Sequence, residues 1–397
     1  MNALVYAVGS VWISLVAVLV LALLVQVLAG WRARPPVSRG DDVQPPLYGV
    51  LMPAHNEAGT IRASIVAVLR QLRPWGRLLV VADNCSDGTA AEARAAGAEV
   101  VERSNLLLRG KGHALAFGVA HWRSDPPEVV VVLDADCIPA PGALDLLAAT
   151  AASGAGRPVQ ALYLMSARPG SSLRVRMAAF AWAVRNQVRP LGMHRLGLPC
   201  QLMGSGMAFT WSCIASVDLA SGHLTEDLQL GVKLAGAGRA PRFCPEARVE
   251  SWFPEKKAAL DAQHTRWEHG HLSMILAGVP SLLWRGVRTG SAGALALALD
   301  LCIPPLALLA LLLLGSCVFA GWMAAGGTSG HVAAAVAAGC VLCFTAAVVL
   351  GWWSVGRRWV SFAELALAPV HVLGKLPVYV AFVFRRQKEW VRTSREP

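Results

Sequence analysis

The sequence predicts an α/β domain built on a parallel sheet and inserted between membrane-spanning helices. Composition is the first reason: apolar residues make up 55% of the chain and charged residues only 15%, against about 45–50% and about 25% in soluble domains. The second is that the apolar excess is concentrated in long uncharged runs near the two ends. The third is that the stretch between them alternates short apolar segments with amphipathic ones, the pattern of strands joined by helices. A mean hydropathy of +0.48 excludes intrinsic disorder and argues against a wholly soluble chain.

The elements follow in order. Residues 3–30 carry no charge and are long enough to cross a bilayer with some tilt. No basic stretch precedes them and the run is too long for a signal peptide, so residues 1–31 are expected to form an N-terminal transmembrane helix. Trp31, Arg32, Arg34 and Arg39 follow, an interfacial aromatic and then positive charge, which places the next domain in the cytosol. Pro35, Pro36, Pro45 and Pro46 stiffen a linker over 32–46. Strands are expected at 48–52, 78–82, 99–101 and 129–133, with helices around 58–72, 87–96 and 110–122. Such a layer has right-handed crossovers and binds ligands outside the carboxyl ends of its strands. Those ends lead into Pro53-Ala-His-Asn-Glu57, Asp83-Asn-Cys-Ser-Asp87-Gly88 and Asp134-Ala-Asp136. Three acidic ends on one rim point to a nucleotide or metal site.

The catalytic domain is expected over 47–275 and interface helices over 276–300. A transmembrane hairpin at 301–356 has spans at 301–322 and 332–356. Arg285 and Arg288 precede it, Arg357 and Arg358 follow it, and its short loop lacks Lys and Arg, so both flanks are cytosolic. Residues 359–384 are apolar but contain Glu364, His371, Lys375, Pro369 and Pro377. A single crossing would put the basic tail 385–397 outside, so a re-entrant or broken segment over 357–384 is expected instead. The chain is thus read as an integral protein of a bacterial-type inner or plasma membrane. A net charge of +11 suits a phosphorylated substrate or an anionic membrane face. Nucleic acid is excluded as a partner, because the positive charge clusters at membrane flanks rather than along one helix. The nine cysteines are scattered and make no disulfide framework.

Four constellations carry chemistry. Asp134-x-Asp136 at a strand end is an oxygen-only site suited to Mg²⁺ or Mn²⁺, although one carboxylate could equally cap a helix. Lys111, at a helix start between two glycines, can meet a phosphate. Thr225-Glu226-Asp227 opens an amphipathic helix, either as an N-cap with acidic first turn or with Asp227 as a general base whose proton affinity Glu226 raises. Gln263, Arg266 and Trp267 fall at i, i+3 and i+4 on one helix face and could hold a diphosphate and stack on a sugar, or anchor at the membrane interface.

The ordered set Asp83, Asp134-x-Asp136, Thr-Glu-Asp227 and Gln-x-x-Arg-Trp267 resembles the D, DxD, TED, QxxRW series of membrane-integrated family 2 glycosyltransferases. These include cellulose, hyaluronan and poly-N-acetylglucosamine synthases, with ceramide glucosyltransferases as cousins. The resemblance implies a GT-A (Rossmann-like) fold over about 47–275. It implies that Glu57 and Asp83 contact the uracil of a UDP-sugar donor, that Lys111 and Arg266 hold its diphosphate, and that Asp134 and Asp136 hold the metal and diphosphate. Asp227 becomes the base, while Gln263, Trp267 and the Gly204-Ser205-Gly206 loop line the acceptor. His264 departs from the pattern, since processive synthases usually carry Gln or Arg there. The expected function is synthesis of a cell-surface polysaccharide or exopolysaccharide, with an oligomer or export partner. The alternative is a single addition to a membrane lipid of ceramide, hopanoid or polyprenyl type. Tail residues around Trp390 resemble a terminal segment that closes over UDP. If the tail is cytosolic, a cysteine placed in it should resist an impermeant thiol reagent added to intact cells; labelling from outside would contradict the topology.

Overall fold

The computed structural model describes residues 3–32, 44–325 and 328–387; most of the linker, and Trp390 with the rest of the tail from 388, lie outside them. Strands β1 (Tyr48–Ala54), β2 (Arg77–Asp83), β3 (Glu99–Arg103) and β4 (Val129–Val132) alternate with helices α2 (Ile61–Leu69), α3 (Thr89–Ala95) and α4 (Lys111–His121), following the N-terminal helix α1 (Ala3–Gly30). Then come β5 (Ile138–Pro139), α5 (Ala143–Ala152), β6 (Val159–Ser166), α6 (Leu173–Ala183), α7 (Arg189–Arg195), β7 (Met207–Thr210), α8 (Trp211–Ile214), α9 (Glu226–Gly236) and β8 (Arg242–Trp252). All eight strands form one sheet in the order β3-β2-β1-β4-β7-β6-β8-β5.

The first four strands are parallel, as their alternation with helices requires. Their carboxyl ends therefore share one edge, which is what brings Glu57, Asp83 and Asp134 to a common rim. Strand periodicity sorts the core. Val50, Met52 and Val80 pack with α2, α3 and α5, whereas Leu51, Leu79 and Val81 meet α4, α8 and α9. β7 runs antiparallel to β4 and β6, so the sheet is mixed beyond the predicted half. In β8 the register against β6 jumps from Ala161↔Cys244 to Leu162↔Arg248. Pro245, which cannot donate to a ladder, sits in that bulge.

The chain then enters α10 (Lys257–Thr289), α11 (Ala292–Cys302), α12 (Leu306–Ala324) and α13 (Thr328–Ser354). Among the described residues, three helices are long and apolar enough to cross a membrane: Leu4–Gly30, Leu306–Ala324 and Gly330–Ser354. Two expected boundaries shift. The boundary at 275/276 falls inside α10, one continuous helix of 33 residues. The second span starts at Leu306 rather than 301, because α11 ends at Cys302 and Pro304-Pro305 separates it from α12. The last segment is broken into α14 (Phe362–Leu365), α15 (Ala368–Leu373) and α16 (Leu376–Phe384). Pro369 and Pro377 lie in the first turns of α15 and α16, where a missing N–H costs nothing.

A buried polar knot joins α1 to the α/β domain. Arg189 donates to Asp300 Oδ1 at 2.7 Å and to Gln26 Oε1 at 2.8 Å, and Gln26 Nε2 donates to Asp300 Oδ1 at 2.9 Å. Gln201 completes the knot by donating to Asp300 Oδ2 at 2.6 Å. Removing one charge strands the other without water, at about 3–5 kcal/mol for a buried pair. Asp300→Leu should therefore lower unfolding stability in detergent by that order, and adding Arg189→Met should restore most of it.

Candidate active site

Three chain segments converge on the Lys111 ammonium. Lys111 opens α4 after Gly110, whose φ of 125° is a backbone state that side chains disfavour. Its Nζ pairs with Asp134 Oδ1, donates to the Gly204 carbonyl at 2.7 Å and lies 3.7 Å from Glu226 Oε1. The Asp134 amide donates to Ser205 Oγ at 3.1 Å, which fixes the loop after β4 against the glycine loop. Gly204 has φ of 91°, and a Cβ there would sit 3.3 Å from Asp227 Oδ2 and 3.7 Å from Lys111 Nζ.

At the start of α9, Thr225 makes no side-chain cap bond, so the capping explanation of Thr-Glu-Asp fails for its first residue. Asp227 Oδ1 instead accepts from the Leu228 amide at 2.8 Å. These groups line a cavity of about 110 Å³ together with Arg266 and Trp267.

Burial sets the proton affinities. It raises the Asp227 carboxyl above its ordinary range, against the opposing pull of Lys111. Desolvation is the first cause, ahead of like charge; Asp134 repels the Asp227 carboxylate, and Asp227 and Glu226 repel each other. Glu226 is itself raised to about 7, by burial and then by Asp227, with Lys111 opposing. For Lys111, burial pulls downward, but Asp134 and Glu226 outweigh it and hold the ammonium above its usual value. Burial lowers the Arg266 guanidinium, with Glu226, Asp134 and Asp227 opposing.

Asp134, Asp136 and Cys137 bring their ligating atoms within 4.8 Å of one another. Burial pushes the Cys137 thiol up to about 12, and the hard oxygen donors of the group are the two carboxylates. That set fits a hard cation such as Mg²⁺ or Mn²⁺.

The remaining expected residues are placed less directly. Asp83 ends β2, its Oδ1 accepting from Arg103 at 2.5 Å and from Asn84 at 3.0 Å. Glu57 follows β1 and accepts from Thr60 at 2.7 Å; neither lines the cavity. Ser205 and Gly206 are buried behind it. A Cβ on Gly206 would approach the Ala161 Cβ at 2.6 Å, so its role is close packing. Gln263 does not share the cavity face expected for it. It is fully buried, and its amide finds no hydrogen-bond partner among the described residues.

Four polar or aromatic cavity residues were not foreseen, Tyr163, Trp182, Arg185 and Asn186, besides the apolar Met203 and Leu224. Trp182 stacks on Trp267 with centroids 4.7 Å apart. Arg185 sits in a π-helical turn, Val184–Val188, between α6 and α7. Such turns gather at functional sites, but a π-turn has no sequence signature.

Residues 45–270 match the model of glycosyltransferase-like family 2, more than half of the chain, and the chain belongs to glycosyltransferase family 2. It is similar to Probable glycosyltransferase YdaM of Bacillus subtilis, 28% identical over 251 residues. The match takes in 58% of this chain and about half, 56%, of that relative's length. Among solved structures, it is similar to the mannosyltransferase PcManGT of Pyrobaculum calidifontis, in complex with GDP-Man and Mn²⁺. That match has TM-score 0.49 and 19% identity over 88% of this chain and 99% of the other. Glucosyl-3-phosphoglycerate synthase of Mycobacterium tuberculosis, with Mn²⁺, UDP and phosphoglyceric acid, matches at TM-score 0.41 and 23% identity, over 64% and 84% of the two chains. The family match over 45–270, with the mixed sheet described above, gives the GT-A-like fold.

Gly204→Ala should cost about 1–2 kcal/mol of stability from its left-handed backbone. It should also lower transferase activity at least tenfold by crowding Asp227, measured as sugar transfer by the folded variant.

Proposed function

We propose that the chain is an inverting, metal-dependent glycosyltransferase that moves a sugar from a UDP-sugar to a hydroxyl acceptor at the cytosolic face of a membrane. The observation that supports it best is the convergence of Lys111, Asp134, Asp227 and Arg266 in one cavity. These residues come from the starts of α4 and α9, the end of β4 and the middle of α10, and they supply the parts the reaction needs.

Asp134 and Asp136 would hold the cation, which when bound neutralises charge on the departing diphosphate. Lys111 and Arg266 add fixed positive charge at the same place, where burial makes it count for more than in water. Lys111 pairs with Asp134, and a diphosphate would compete for it with the same charge sign. Asp227 takes the acceptor proton; its raised affinity brings it closer to the working pH of a general base. One base and one displacement invert the anomeric centre, so an α-linked donor gives a β-linked product. Asp83 and Glu57, on the rim at the ends of β2 and β1, would face the uracil end of the donor.

Asp227→Asn should keep UDP binding and lose transfer by about 10²–10⁴-fold; retained turnover would sink the assignment. Chelation with EDTA should abolish transfer, and Mn²⁺ or Mg²⁺ should restore it.

A further inference from the structure

A second cavity, of about 750 Å³, lies against the first. It is enclosed by α6 and α10 of the catalytic domain, by α12 and α13, and by the short helices α14–α16. Trp182, Arg185 and Trp267 line both cavities, so the two meet at those side chains. Its volume falls within the range of about 300–1,000 Å³ usual for small-molecule pockets.

The walls identify the occupant. Met177, Ala181, Ala307, Ala310, Val348 and Val378 face the interior and offer no hydrogen bond to a sugar hydroxyl. The charged groups on the wall are mostly committed to each other. Lys375 donates to His264 and Glu268, both at 2.8 Å, and Arg174 donates to Asp261 at 2.8 Å. Burial, followed by the nearby Lys375 and Arg174, lowers His264 to about 3, so its ring is neutral and accepts from the lysine.

Among the lining residues Val370 is 68% exposed, and Leu373 on α15 with Val380 and Val383 on α16 extend that exposed apolar face. It lies beside α12, a helix of membrane-spanning length, while exposed Arg174 and Lys257 give the wall a second, polar stretch. The bundle of α1, α12 and α13 closes on Val20, Leu23, Leu309 and Leu313, an apolar core that offers a growing glycan no hydrophilic path.

We propose that this cavity is an acceptor chamber. It takes the hydrocarbon chain of a hydroxyl-bearing membrane lipid, and Trp182, Trp267 and Arg185 form the waist through which that hydroxyl reaches Asp227. The proposal rests on the transferase reading above and names its acceptor class. The lipid oxygen bonds to C1 of the donor sugar and the bond from C1 to the diphosphate oxygen breaks. UDP leaves with the electron pair, and the lipid's proton passes to Asp227. One sugar is added per lipid, because a glycosylated headgroup has left the waist and the chamber holds the chain rather than the sugar.

The test uses the full chain in native membranes supplied with a panel of radiolabelled UDP-sugars. Label should enter the chloroform–methanol extract as a lipid carrying one sugar. Ala310→Trp and Val348→Trp, which fill the chamber from α12 and α13, should each cut that label at least tenfold while UDP binding persists. Leu314→Trp, on the exposed face of α12, should leave it unchanged. Label in a solvent-insoluble polymer, or lipid label indifferent to both chamber substitutions while UDP is still released, would overturn the chamber. Absence of UDP release from every donor would instead overturn the transferase reading beneath it. Should one substituted chain fail to bind UDP, the other decides.

Discussion

The active site depends on one central cation, Lys111, placed among carboxylates, with Arg185 and Arg266 on the same cavity wall. Asp134, Glu226 and Asp227 would repel one another if buried without compensation. Lys111, paired with Asp134 and 3.7 Å from Glu226, makes their assembly affordable. It also ties the start of α4 to the end of β4 and to the glycine loop, through the Gly204 carbonyl. The positive φ of Gly110 and Gly204 gives the lysine its approach. The rim of the sheet is thus held by the same charges that would bind and release a nucleotide diphosphate.

The helices of the C-terminal part are attached to this rim rather than merely adjacent to it. Trp267 and His264 are neighbours on α10. Trp267 stacks on Trp182, while His264 accepts from Lys375 of the broken C-terminal segment. A second tie runs from Arg176 on α6 to Glu364 on α14. His269 donates to the Val378 carbonyl and accepts from the Gln387 amide. The residue at 264 therefore has a structural role: the neutral ring anchors the broken C-terminal segment, a task that a cationic Arg facing Lys375 could not perform.

Much of the first half of the domain was legible from the sequence, because β1 to β4 are short apolar runs separated by amphipathic helices. Their acidic ends could be assigned to one rim from parallel topology alone. The second half was not. β6 carries Gln160 and Tyr163 inside its buried run, β7 has only four residues, and β8 is interrupted by Pro245 at a bulge; each defeats a period-two pattern. Arg266 and Trp267 line the cavity, but Gln263, expected on the same face, is fully buried outside its lining. Helical spacing gives a stripe, and only the packing of α10 decides how wide the exposed part of it is. Arg185 was invisible because the π-turn that aims it depends on tertiary contacts. The prolines of the C-terminal segment were read correctly as breaks, since their effect is local.

The most direct test of the account is the anomeric configuration of the product, read by proton NMR after transfer from an α-linked UDP-sugar. A single displacement assisted by Asp227 predicts a β-linked product. An α-linked product would require a second displacement or front-face attack, and would contradict the role given to the charge cluster.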